Sequence, residues 1–337
     1  SIVDGSENFD AVTYTGNGTS QSITGVGFSP DLVWVKRRDA VASNLVLDSV
    51  RPITNLLVTD TTSAESTTAL NFSSIDSNGF SLGSAGGASN ASGGSYVAWN
   101  WRGSDSTAVS NTDGTITSSV SANPTAGFSV VTWTGTSAIG TVGHGLGVAP
   151  RMIIAKSRST ANAWGVFHQS ANSGAGQNGF LLLNSTAAYA NDVNAWNNTA
   201  PTSSVFSVAN GGFNAGTMVA YCFADVEGYS KFGSYTGNGS ADGPFVYTGF
   251  KPAWIMFRST ILCNWVIVDA ARSTYNVMDD SLYPNTSGSE ITTITDVDFL
   301  SNGFKWRANL PNETNASGQT YIYMAFAENP FKNSLAR

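Results

Sequence analysis

Two sets of charged residues recur in the same order along the chain, Asp48, Arg51 and Glu65, then Asp269, Arg272 and Glu290. A glycosidase uses two carboxyls roughly 5–9.5 Å apart, one as acid and the other as nucleophile or base, so these sets are the natural place to look for hydrolysis. Between them the pattern breaks, because His168 stands where an aspartate would and no arginine follows at that offset. A repeating architecture copies a loop-closing ion pair more readily than a reaction centre. Asp48 with Arg51, and Asp269 with Arg272, are therefore read as structural pairs, and no catalytic residue is expected.

His144 and His168 are the chain's two histidines and its only candidate imidazole bases. His144 lies in Gly143-His144-Gly145-Leu146-Gly147, a sequence that reads as a solvent-exposed loop. No nucleophile elbow of the GxSxG kind accompanies either histidine. Asp296-Val297-Asp298 followed by Ser301-Asn302-Gly303 offers oxygen ligands without the spacing or terminal glutamate of a calcium loop, and reads as a turn. Cys222 and Cys263 stand 41 positions apart in apolar or mixed surroundings and read as buried small hydrophobes, with no zinc pattern. No metal and no cofactor is expected. Trp196, in Asn194-Ala195-Trp196-Asn197-Asn198, is the one tryptophan set among small polar residues. Its indole could stack on a sugar face while Asn194 and Asn197 bond hydroxyls; the competing reading folds it back onto its own domain or into a subunit contact.

The elements that carry these residues repeat. Tyr14-Thr15-Gly16-Asn17-Gly18 returns as Tyr235-Thr236-Gly237-Asn238-Gly239, with a degenerate Trp133-Thr134-Gly135-Thr136 between. Each is followed by a proline and an apolar run closed by a cation: residues 30–36 (PDLVWVK), 150–156 (PRMIIAK) and 252–258 (PAWIMFR). Each segment ends in a second apolar-aromatic run, YVAWNW, MVAYCF or YIYMAF. A fixed order of landmarks at matched offsets marks repeated structural units. The runs are short, rich in Val, Ile, Thr and aromatics, and bounded by Gly, Asn and Ser, which reads as strand. Asn78-Gly79 and Asn302-Gly303 read as hairpin turns whose residues tolerate positive φ. The fold class expected is all-β: three tandem antiparallel β-sandwich or jelly-roll-like repeats of about 100 residues each. Residues 1–103 form the first repeat, 104–126 a Ser/Thr-rich linker with some strand, 127–226 a diverged second repeat and 227–337 the third.

Composition narrows the function classes. Charged residues make up 12% of the chain and the net charge is −7, which disfavours a phosphate-backbone binder. No apolar run approaches the ~18 residues of a membrane span, and the first residues lack a basic-then-apolar signal.

The strings YTGNG, SITGVGFSPDLVWVKRRD, SYVAWNW, VGHGLGVAPRMIIAK and AFAENPF resemble a domain recurrent in virion structural proteins of tailed bacteriophages, marine ones especially. The resemblance runs from about Phe9 to Arg337 and implies a tail-fibre-like virion protein without established catalytic residues. It leads to the expectation of a non-enzymatic structural component of the particle exterior (tail fibre, knob or capsid-surface decoration), assembled in the bacterial host cytoplasm, that serves particle assembly and host attachment. A carbohydrate-binding receptor module is the alternative, and a glycan depolymerase stands behind it. The partners expected are other virion proteins, further copies of the chain (a trimer if it is a fibre) and host surface glycan, with no nucleic acid and no membrane insertion.

Overall fold

The computed structural model describes residues 5–67, 72–84, 86–104, 106–292, 296–307 and 313–327. The expected repeat ends at 1–4 and 328–337 lie outside them. Among the described residues the chain is nearly all strand, with a single four-residue α-helix at Val193–Trp196 and three short 3-10 turns. All the strand ladders are antiparallel, and the sheets fall into three pairs, each a large sheet backed by a small one.

At the centre of every large sheet lie the three landmarks of the sequence. The last apolar run pairs on one side with the Tyr-Thr-Gly strand and on the other with the proline strand: Ser95–Trp101 between Phe9–Thr15 and Leu32–Arg37, Ala215–Phe223 between Phe128–Thr136 and Met152–Ser157, Thr320–Ala327 between Ser230–Thr236 and Pro252–Ser259. The registers match, placing Tyr14 opposite Tyr96, Trp133 opposite Met218 and Tyr235 opposite Tyr321. The two tyrosine pairs stack with ring centroids 5.0 and 4.9 Å apart.

Successive side chains of a strand point to opposite faces, and here both faces are covered. Val33 and Val35 pack against the first small sheet with Phe72, Phe80 and Leu82; Ile153, Met218 and Ala220 do so in the second pair, and Ile255, Phe257 and Ala325 in the third. The alternate residues meet in one central core shared by all three large sheets, built from Trp34, Trp99 and Trp101, from Met152, Tyr221 and Phe223, and from Trp254, Met256 and Phe326. Burial on two sides explains why these runs are apolar throughout instead of alternating.

Within the segment expected as a linker with some strand, two strands join the sheet. Val109–Asn111 and Ser118–Asn123 extend the second large sheet beside Phe128–Thr136. Val120 enters the second core, the Ser118 hydroxyl bonds Gly143 O at 2.8 Å, and the Ser121 hydroxyl bonds Asp31 Oδ1 at 2.7 Å. Hydroxyls that satisfy backbone and carboxylate acceptors hold as strand a segment whose composition reads as loop.

The two hairpins form where Asn-Gly placed them, but their turns are Ser77-Asn78 and Ser301-Asn302, and the glycines open the next strand. Gly303 is required by crowding: a Cβ there would lie 2.1 Å from Val246 O. Gly303→Ala is accordingly expected to cost about 1–3 kcal/mol by forcing the neighbouring strand outward, read as a lower denaturation midpoint with an unchanged slope.

Candidate functional site

The recurrent carboxylates lie where one sheet pair meets the next. Asp48 ends the short strand Leu45–Asp48 and turns the chain back, its Oδ1 accepting from the amides of Val50 at 3.1 Å and Arg51 at 3.0 Å. Arg51 Nε donates to Asp48 Oδ2 at 2.7 Å, and its Nη1 to Glu65 Oε2 at 2.7 Å. The set is completed by the second sheet pair: Tyr221 donates its hydroxyl to Asp48 Oδ2 at 2.8 Å, and Arg158 grips Glu65 with bonds of 2.8 and 3.0 Å. The third pair meets the first in the same way. Arg272 Nε donates to Asp269 Oδ2 at 2.7 Å and Nη1 to Glu290 Oε2 at 2.9 Å, while Trp99 Nε1 donates to Asp269 Oδ2 at 2.9 Å. Arg38 holds Glu290 through three bonds of 3.1, 2.9 and 2.7 Å.

Where the second pair meets the third, neutral groups stand at the positions of the aspartate and of the glutamate–arginine pair. His168, fully buried at the aspartate position, places Nε2 3.1 Å from Tyr323 O and accepts the Ser170 amide on Nδ1 at 3.2 Å. The Tyr189 amide bonds Thr260 O at 2.8 Å, where the other seams have a glutamate facing an arginine.

The cations that close the proline runs join the same seams. Lys36 reaches the carbonyls of Ala42 and Ser287, Lys156 those of Ser157 and Thr62, and Arg258 those of Ser185 and Ala187. All three are buried, and desolvation pushes both lysines down to about 8.

This geometry leaves the carboxylates little to offer a substrate. Both oxygens of Asp48, Glu65, Asp269 and Glu290 already accept charge-assisted or backbone bonds. Burial raises the Glu65 and Glu290 carboxyls, but the flanking guanidiniums more than reverse it and hold both below the ordinary value. A general acid needs the opposite shift.

Of the two readings of Trp196, the structure has the one that folds it back onto its own domain and not the one that turns it to glycan. Trp196 ends the one-turn helix, is 2% exposed, and stacks on Phe213 with centroids 5.7 Å apart. Asn194 remains exposed and Asn197 half-buried, but no indole face stands between them. His144 also departs from expectation: it is fully buried, with Nε2 3.2 Å from Thr202 O and Nδ1 accepting the Leu146 amide at 3.2 Å. The glycines around it permit a tight turn that carries the ring inward, Gly145 and Gly147 both adopting positive φ. Asp298 pairs with Arg307 at 2.6 Å, and no cluster of three metal-ligating side chains occurs among the described residues. Both cysteines are free and buried. Sequence reasoning missed Arg38, Arg158, Tyr221 and Trp99, which complete the seams. It also missed Asn90, Asn214 and Asn315, buried asparagines that tie together the loops at the Tyr-Thr-Gly end of each sheet pair.

Over residues 4–330 the sequence matches the family described as Domain of unknown function (DUF7483). The chain belongs to this family. Neither a curated protein nor a solved structure matches it. The family's span embraces all three sheet pairs and every seam, so the unit it describes is the whole assembly and not one sheet pair.

The buried histidines give the fold an acid limit. Burial pushes both imidazoles down, His168 to about 4 against an ordinary 6.5. The unfolded chain takes up these protons first, so stability is greatest above pH 6.5 and falls as pH drops toward 4. His168 alone accounts for about 3 kcal/mol of that loss, at about 1.4 kcal/mol per pKa unit. Glu65 and Glu290 add to it at still lower pH. Denaturant unfolding of wild type and His168→Gln between pH 7 and 4 checks this: the variant is expected to show a flatter profile above pH 4, and equal slopes would refute the assignment.

Proposed function

We propose that the chain is a non-enzymatic structural protein of a tailed-bacteriophage virion, a tail-fibre, knob or capsid-surface component in which three tandem repeats of about 100 residues make one pseudo-threefold body. The observation that carries this reading is the use of the recurrent acids: each has at least one oxygen committed to holding one sheet pair against the next, and the oxygens left over accept amides of their own loops. The sequence resemblance supplies the place, and a core shared by three sheets supplies a rigid support for displayed loops. The matched strand orders support the repeat reading. The partners are other virion proteins, with further copies of the chain joining through outer faces, since the aromatic runs are spent on the chain's own centre.

Immuno-electron microscopy of purified particles with antibody against the chain is the direct test. Label on the particle exterior is expected; unlabelled particles, with the protein confined to the soluble fraction of infected cells, would overturn the reading. Release of reducing sugar from host polysaccharide would overturn its non-enzymatic part.

One observation favours glycan binding as a second activity. An open groove of about 370 Å³ on the second large sheet is lined by Ser110, Ser119, Thr132, Thr134, Thr217 and Arg158, a hydroxyl-rich surface suited to a neutral sugar. A glycan array probed with wild type and Thr132→Val/Thr134→Val tests it, with the signal expected to vanish in the variant.

A further inference from the structure

The small sheets differ in what lies along their outer edge. In the second, Gly140–Gly143 pairs with Val205–Val208, with Val142 opposite Phe206. Its other edge is occupied by an extended piece of the chain: the Ile116 amide bonds Thr141 O at 3.0 Å, Thr115 Oγ1 accepts the Thr141 amide at 2.9 Å, and Ser118 Oγ bonds Gly143 O at 2.8 Å. Ile116 and Val142 form a parallel bridge.

In the third small sheet, Phe245–Tyr247 pairs with Gly303–Trp306 in the same register, with Val246 opposite Phe304. The Trp306 amide bonds Pro244 O and the Thr248 amide bonds Asn302 O, so alternate residues face the partner strand and the backbone groups of Phe245 and Tyr247 face away from it. Among the described residues nothing bonds them there. Where the occupied edge carries Thr141 and Gly143, this one carries two aromatics that are 45% and 64% exposed. The corresponding strand of the first small sheet, Gln21–Thr24, carries serine and threonine outward instead. An unpaired edge with exposed aromatics is a template for strand addition, and proteins that need no partner there blunt it with charge, proline or cover.

We propose that the Phe245–Tyr247 edge is a docking site for an extended, uncharged segment of a partner protein, a β-branched residue flanked by Thr or Ser, lying parallel to the edge as residues 115–118 lie along Gly140–Gly143. The chain's own solution at the matching edge defines the occupant's chemistry, and cross-strand contact of a β-branched side chain with an aromatic ring supplies the specificity. A second copy cannot supply residues 115–118 without stripping them from its own sheet. The site is independent of the particle to which the chain belongs, so failure of the virion reading leaves it intact.

The capped hexapeptide of residues 114–119 (GTITSS), added in trans to the full chain, is the probe. Hydrogen exchange followed by mass spectrometry is expected to show at least tenfold slower exchange across residues 244–248 at saturating peptide. Tyr247→Lys, a change at a surface side chain, is expected to weaken this protection at least tenfold, and Phe245→Pro to abolish it by removing an outward donor. The same peptide with Lys in place of Ile is expected to give none. Absence of saturable protection in the wild type, or protection unchanged in Tyr247→Lys of wild-type melting temperature, overturns the proposal. So does concentration-dependent self-association in light scattering that Tyr247→Lys removes, because the edge would then belong to a second copy.

Discussion

Arg51→Met is expected to destabilise the fold by about 3–5 kcal/mol, a large fraction of the total for any domain. The guanidinium is fully buried and bonds two carboxylates, Asp48 at 2.7 Å and Glu65 at 2.7 Å. Methionine fills comparable space but leaves Asp48 in the interior with only backbone amides and the Tyr221 hydroxyl for company. The loss comes from the stranded charge, not from the bond itself. Removing acid and base together, Asp48→Leu with Arg51→Met, is therefore expected to recover much of it. Arg158→Met, whose guanidinium is partly in water, is expected to cost less than Arg51→Met. Chemical denaturation of the four proteins checks the ordering, and a loss below 1 kcal/mol for Arg51→Met would show that the seam does not bear on stability.

Trp254→Ala is expected to cost a similar 3–5 kcal/mol through the cavity it opens. Its effect should not stay in the third sheet pair. The indole lies 5.6 Å from Trp101 and 6.4 Å from Trp99 of the first pair, and 5.9 Å from Phe326 of its own. Tryptophan fluorescence and far-ultraviolet circular dichroism should shift together in one transition, because the central core ties all three large sheets. Separate transitions would mean that each sheet pair stands on its own outer core.

Strand content and the landmarks were legible because they are local. A run such as Leu32-Val33-Trp34-Val35 states that both of its faces are covered, but not by what. One covering surface is the small sheet of the same pair, and the other is built from runs that lie over a hundred residues away in the chain. The readings that failed or stayed open relied on neighbours in sequence. For Trp196 the flanking asparagines left a sugar-facing and a folded-back indole both open, and a single helical turn decides for the second by sending Asn194 outward and the indole inward. His144 looked exposed because glycines flank it. Residues 104–126 looked like linker with some strand on composition, which did not say that Ser118 and Val120 sit on one face of a strand. One seam signal was present and went unread. Arg38 and Arg158 lie two residues past the closing lysines, while Thr260 takes that place in the third segment; the glutamates they hold, Glu290 and Glu65, are likewise missing from the second. Acid and base are offset by one unit, as expected when each segment grips the next.

That offset closes on itself: the first pair grips the second, the second the third, and the third returns to the first. Phe9 from the first strand of the chain stacks on Phe326 from the last, with centroids 4.9 Å apart. Linear order along the polypeptide is thus almost irrelevant to the finished object. A circular permutant that begins at residue 106 and joins residue 327 to residue 5 through a short glycine-serine bridge should reach the same ring, because no seam knows where synthesis started.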